Sequence, residues 1–181
     1  MFSLTKVATF ALFALGVAAS TVPAKRQSSE AATILNDLAE TITPIAAELG
    51  FLTPANASIL TVTPIVTQMN AMMVAAQGKL AALPAGSAAS DKTATIKALA
   101  NVFTASLTPG NKLVATPGVS AVTIVPIFTQ IGITLAALLA DVVTLVEEVL
   151  TVVVDLLDGL IAGLEATLTD LGLTGLTAMG F

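Results

Sequence analysis

The chain has 181 residues, 55% of them hydrophobic and only 10% charged, with seven Lys and Arg against twelve Asp and Glu for a net charge of −5. A typical soluble domain carries about 25% charged residues, so this chain, with a mean hydropathy of +0.94, lies between soluble and membrane proteins. It contains no His and no Cys, which excludes Ser-His and Cys-His catalytic pairs, thiol nucleophiles, the usual zinc sites and disulfide staples.

The first segment reads as a processing signal. Lys6 supplies a positive charge, residues 7–17 are an uninterrupted apolar run, and Ala18-Ala19-Ser20 offers small residues for cleavage. That order is a secretory signal peptide over residues 1–20, and the run is shorter than the roughly 20 residues a membrane span needs. Residues 21–26 then end in Lys25-Arg26, a dibasic pair placed like a kexin-type maturation site. Cleavage there predicts a mature domain of residues 27–181, in which four Lys face twelve acids for a net charge of −8. A chain this acidic, without Trp or Tyr, repels phosphate backbones and lacks stacking platforms, so nucleic acid is excluded as a partner.

The mature chain reads as all-α. Ser28-Ser29-Glu30 is a helix start, followed by a stripe of Ile34, Leu35, Leu38, Ile42, Ile45 and Leu49 at three- and four-residue steps. Pro44 bends this helix and Gly50 ends it. Thr53-Pro54 starts a second helix that runs to about Leu83, with a kink near Pro64. Pro84-Ala85-Gly86-Ser87 is a loop. Ser90-Asp91 caps a third helix, whose apolar face is Ile96, Leu99, Ala100, Phe103 and Leu107 and which Thr108-Pro109-Gly110-Asn111 stops.

Thr116-Pro117 opens the last helical segment, reaching about Asp170 as one very long helix or as one broken near Gly159 and Gly163. Thr134, Asp141, Thr144, Glu148, Thr151, Asp155, Asp158 and Glu165 trace a narrow polar seam along it at helical steps. Ordinary surface helices show the reverse proportion. The expected architecture is an antiparallel helical bundle with an apolar C-terminal helix, long or broken. Residues 61–68 (TVTPIVTQ) are also echoed by residues 123–130 (TIVPIFTQ). Duplication of a helical unit or convergence within a biased composition accounts for the echo, with convergence the better account.

Chemistry-bearing constellations are scarce. Asp141, Glu148, Asp155 and Asp158 share a face, but a glycosidase needs a cleft with stacking aromatics and calcium needs ligands crowded in a loop. A solvated stripe is the simpler reading. No catalytic, cofactor-binding or metal-binding residues are assigned. Met69, Met72, Met73 and Phe103 form a candidate adaptable apolar contact surface, with ordinary core as the alternative. Asn56-Ala57-Ser58 is the N-glycosylation sequon.

Residues 49–78 and 113–140 are free of charge and long enough to cross a bilayer. Against a span, both contain Pro, Thr and amide side chains and lack basic flanks, while the greasiest stretch carries Asp141, Glu147, Glu148, Asp155 and Asp158. A soluble bundle with apolar surface left over is preferred, and such a surplus marks an interaction surface.

The signal peptide, the Lys25-Arg26 site and the Ala/Leu/Thr-rich helices, chiefly residues 31–49 (AATILNDLAETITPIAAEL) and 79–107, resemble fungal hydrophobic-surface-binding (HsbA-type) proteins and cell-wall galactomannoproteins. The resemblance rests on texture rather than on a sharp motif. It implies a secreted, non-enzymatic helical protein, extracellular or wall-bound, that adsorbs to a hydrophobic solid or a lipid or wax interface and recruits a secreted esterase or cutinase. Two alternatives stand beside it: a structural or antigenic cell-wall glycoprotein, and a membrane-inserting helical protein.

Overall fold

The structure, a computed structural model, describes residues 29–181. The expected signal peptide, Lys25 and Arg26 lie outside the described residues. Among these residues there is no strand. Four long helices form the body: α1 (Glu30–Ala47), α2 (Ile59–Ala81), α3 (Lys92–Val114), and α5 (Thr129–Val146), the last entered through the single turn α4 (Ala121–Ile124) and a 3-10 turn (Val125–Phe128). Three shorter helices follow, α6 (Leu150–Leu160), α7 (Leu164–Asp170) and α8 (Thr174–Thr177).

Helix α1 begins where a capping hydroxyl is available. Ser29 Oγ accepts from the Ala32 amide at 3.2 Å, and the Ser29 amide donates to Asp91 Oδ2 at 3.0 Å. Ser29 Oγ also pairs with Thr95 Oγ1 at 2.9 Å, so one cap joins the starts of α1 and α3. The predicted stripe is largely inside: Leu35, Leu38, Ile42 and Leu49 are buried, and Ile34 and Ile45 pack against them half-covered.

Helix α2 starts later than Thr53-Pro54. Asn56 Oδ1 accepts from the Thr53 amide at 2.6 Å and closes residues 53–56 into a turn, because a local side-chain bond competes with the helical ladder. The helix begins after Ser58, whose amide donates to Thr61 Oγ1 at 2.9 Å. Pro64 lies inside α2 and leaves the Leu60 carbonyl without its usual donor. Leu60 and Pro64 are both exposed.

Helix α3 overrides its predicted stop, since Pro109 and Gly110 lie inside it and it runs on to Val114. The reason is packing. A Cβ on buried Gly110 would come within 2.6 Å of Phe128 Cε1, so the glycine lets a core ring rest against the helix backbone. Thr116-Pro117-Gly118 is likewise a turn rather than a helix start, with Gly118 in the left-handed region at φ 91°.

The C-terminal segment is the broken alternative. The first break falls at Glu147, not at Gly159, which lies inside α6. Glu147 is the single non-glycine residue with positive φ among those described. The α5 carbonyls exposed there are taken by the loop that precedes α3: the Gly86 amide donates to Thr144 O at 3.2 Å and the Ala88 amide to Leu145 O at 2.9 Å. Lys92 Nζ meets Glu148 Oε1 at 2.5 Å beside them. A second break falls at Gly163, in the left-handed region at φ 73°.

Successive long helices alternate in direction, as an antiparallel bundle requires, but the neighbour relations are mixed. Helix α1 packs on α2 and α3, and α5 packs on α2 and α3, so α2 and α3 stand on opposite corners. Thr134 Oγ1 donates to Asn70 Oδ1 at 2.7 Å and Gln77 Nε2 to Asp141 Oδ2 at 3.0 Å, both across 64 residues. A constant offset means that α2 and α5 run parallel, and the Ser29 contacts to Asp91 and Thr95 join the starts of α1 and α3, which pack along each other. The core between the four includes Phe103, Phe128, Met69, Met73, Leu99 and Leu138, all fully buried.

Replacing Gly110 by Ala should destabilise the fold by about 1–3 kcal/mol, the usual cost of overpacking, read from denaturant midpoints at unchanged slope. The Lys92 hydrogen bond and charge hold the Glu148 carboxyl below its ordinary value of 4.5. A carboxyl lowered in the folded state contributes stability above its unfolded pKa and loses it as pH falls through the folded one. The Glu148→Gln variant should therefore be less stable than the parent at neutral pH, and the gap should close as pH falls from about 4.5 through the lower folded value, in thermal melts across that range.

Candidate functional site

The surface divides by charge. Helix α1 exposes Glu30, Asp37 and Glu40, with Glu48 just beyond it, and α3 exposes Lys97 and Lys112. The two long charge-free runs of the sequence, residues 49–78 and 113–140, occupy α2 and α4–α5 with the turns before them, and the parallel pairing sets them side by side. They form a wall of aliphatic, threonine and amide side chains with no ionic group.

This wall carries much of the apolar surface. Leu60 is 86% exposed and Val122 is 88% exposed, with Phe51, Ile59, Val74 and Ile133 also standing out from these runs. Between α2 and α4–α5 lies an open groove of about 720 Å³, bordered by Ile59, Thr63, Val122, Pro126 and Ile127. Leaving such residues in water forgoes roughly 25 cal/mol for each Å² of apolar area, which is how an interaction surface differs from a packed face.

The groove also accounts for where the sequence echo went. Thr63, Val66 and Thr67 of the first copy and Thr123, Pro126, Ile127 and Gln130 of the second line its opposite walls. The copies do not share a conformation, however. Residues 61–68 lie wholly within α2, whereas residues 123–130 pass from α4 through a 3-10 turn into α5. Similar sequence with different backbone fits convergence better than a duplicated helical unit.

The predicted methionine surface is corrected by the fold. Met69, Met73 and Phe103 are fully buried. Met72 alone is partly open, beside a small cleft between α1 and α2 that also touches Ile34 and Asp37. Met69 and Met73 share a helical face with Val62, Val66, Ala76 and Leu80, all buried, and that register decides the matter. The residues that stand in solvent instead, Leu60, Val122 and Ile133, had a signal in the sequence, namely their position in charge-free runs.

The polar seam is divided as well. Thr134 is buried against Asn70, Asp141 takes the Gln77 amide, and Glu148 pairs with Lys92. Thr144, Thr151, Asp155, Asp158 and Glu165 are exposed. Among the described residues no group of three or more Asp or Glu comes close enough to hold a metal ion. Asn56 is exposed at the turn before α2, next to the Ile59–Leu60 end of the wall, with its Oδ1 held by Thr53.

No family model, curated protein or solved structure matches the chain.

Truncating a core methionine separates the two assignments: Met73→Ala should cost about 2–5 kcal/mol of stability, as buried Met→Ala changes do. A surface methionine would leave the denaturation midpoint nearly unmoved.

Proposed function

We propose that this is a secreted, non-enzymatic protein that adsorbs through its α2–α5 wall to hydrophobic solids or to lipid or wax interfaces. The observation that carries the reading is the charge-free wall with Leu60, Val122 and Ile133 projecting from it. An apolar solid rewards burial of aliphatic side chains and gives nothing back to a desolvated charge, so a wall without ionic groups suits it. The threonine and amide groups between the aliphatic ones keep the same face wettable when it is free. Acidic residues on α1 and lysines on α3 keep the opposite side hydrated. The likeness of residues 31–49 and 79–107 to HsbA-type proteins points the same way. It adds recruitment of a secreted esterase or cutinase to the adsorbed layer as the role to look for.

A membrane-inserting reading has one observation of its own. Ile59–Ala81 and Ala121–Val146 are each long and apolar enough to cross a bilayer, and in the fold they lie against each other.

The test is depletion of purified residues 27–181 from detergent-free buffer by polyester or wax particles, beside an acidic helical protein of similar size. The parent chain should be lost to the particles while the control stays in solution. Burying a Leu or Ile side chain is worth about 1.5–3 kcal/mol when complete, so Leu60→Glu with Ile133→Glu should weaken adsorption at least tenfold. The exposed α1 substitution Asn36→Glu should change it little. Equal retention of parent and control in solution sinks the adsorption reading, and a chain soluble only with detergent favours insertion.

A further inference from the structure

The chain holds a single N-glycosylation sequon, Asn56-Ala57-Ser58, and the fold sets its asparagine in an exposed turn ahead of α2. The backbone there is held at several points. The Asn56 and Ala57 amides donate to Thr53 O at 3.0 and 2.8 Å, and the Asn56 carbonyl accepts from Thr61 Oγ1 at 2.6 Å. The side chain is held as well, since its Oδ1 accepts from the Thr53 amide at 2.6 Å and from Thr53 Oγ1 at 3.1 Å. A backbone amide only donates, so the side-chain oxygen faces Thr53 and the nitrogen faces away. Among the described residues Nδ2 has no hydrogen-bond partner.

That division suits the chemistry of the sequon. N-linked glycosylation joins a sugar to Nδ2 and leaves the carbonyl oxygen in place. The glycosyl amide keeps both Thr53 bonds, and the sugar enters solvent rather than the fold.

The turn also stands at a particular place on the wall. A Cβ on Gly118 would lie 3.2 Å from Pro54 Cβ, so residues 53–56 rest against the turn that leads into α4. Just beyond these two turns are Leu60 and Val122, the most exposed large aliphatic side chains among the described residues. Ile59 and Val122 line the groove between α2 and α4–α5 at this end.

We propose that Asn56 carries an N-linked glycan and that this glycan shields the Leu60–Val122 end of the wall, so that the glycosylated chain adsorbs less readily than the bare one. The inference rests on the secreted, adsorbing reading above. The donor is an oligosaccharide on a polyprenyl pyrophosphate. Its C1–O bond to the pyrophosphate breaks, a C1–Nδ2 bond forms, the polyprenyl pyrophosphate leaves and Nδ2 gives up one proton. Sugar hydroxyls lose hydrogen bonds when pressed against a dry apolar solid. A glycan beside Leu60 therefore either pays that desolvation or holds the aliphatic side chains off the surface.

The test produces the full chain with its own leader in a eukaryotic secretory host and reads the intact mass of the secreted protein. One N-glycan per chain is expected, absent in Ser58→Ala and kept in Ser58→Thr, which retains the sequon hydroxyl. Secreted protein at the bare mass overturns the site. A chain retained in the cell overturns the secretory reading, and residues 27–181 behind the host's own leader then judge the asparagine alone, a bare mass there ruling it out as an acceptor. Shielding is read on one glycosylated batch, part of it trimmed without denaturant by an endoglycosidase that leaves one N-acetylglucosamine on Nδ2. Trimming should proceed on the folded chain, and resistance to it overturns the exposed placement. The trimmed form should adsorb to polyester or wax particles at least about tenfold more tightly, the effect of one further buried Leu or Val side chain. Equal adsorption of the two forms overturns the shielding. Adsorption by neither form overturns the shielding together with the adsorption reading, while the mass measurement still decides the site.

Discussion

Two polar contacts between otherwise featureless helices govern the surface of this molecule. Helices α2 and α5 present long apolar faces that could slide past each other at little cost, since Leu, Val and Ala fit many registers. The Thr134–Asn70 and Gln77–Asp141 hydrogen bonds, separated by the same number of residues along both helices, select one parallel register. A slip would cost Asn70 and Gln77 their partners on α5 and leave the Thr134 hydroxyl only the Gln130 carbonyl of its own helix. With that register in place the two charge-free runs must lie together, and the wall and its groove follow.

The opposite corner is organised by a break that local preference opposes. The polar seam keeps its helical period through Glu147, Glu148 and Val149, with no Gly or Pro among them. A left-handed residue that is not glycine costs about 1–2 kcal/mol. The break is sustained by what it permits: the loop amides of Gly86 and Ala88 satisfy the end of α5, Lys92 meets Glu148, and α6 folds back onto α3 with Val153, Val154 and Leu157 buried. Hydrophobic burial of three side chains outweighs one strained residue. The same reversal leaves Val152, Leu156 and Leu160 on the outside.

The molecule thus separates its surfaces by chemistry. Ionic groups gather on α1, on α3 and around α6, and the α2–α5 side has none until Lys79 and Asp141 at its far end. Without disulfides, rigidity comes from a core of closely packed Leu, Ala, Met and Phe, completed by Phe181 against Phe103 with ring centroids 6.1 Å apart. A protein so built has few groups for acid–base work and much area for contact.

What the residues determined by themselves is the part governed by local period and composition. The Leu35–Leu38–Ile42 stripe, the Ser29 start, the Pro84–Ser87 loop and the all-α class are legible because helical spacing and capping act over a single turn. Composition likewise excluded disulfides and histidine chemistry, and the charge-free runs marked the future wall. Tertiary structure decided the rest. Pro109-Gly110 reads as a stop in isolation and becomes helix because Phe128 needs the space beside Gly110. The methionines read as an adaptable surface until α2 turned Met69 and Met73 inward, and the long C-terminal helix breaks where a loop from elsewhere caps it. Which of several apolar faces is covered depends on contacts between residues 60 or more apart in sequence, and no local pattern encodes that choice.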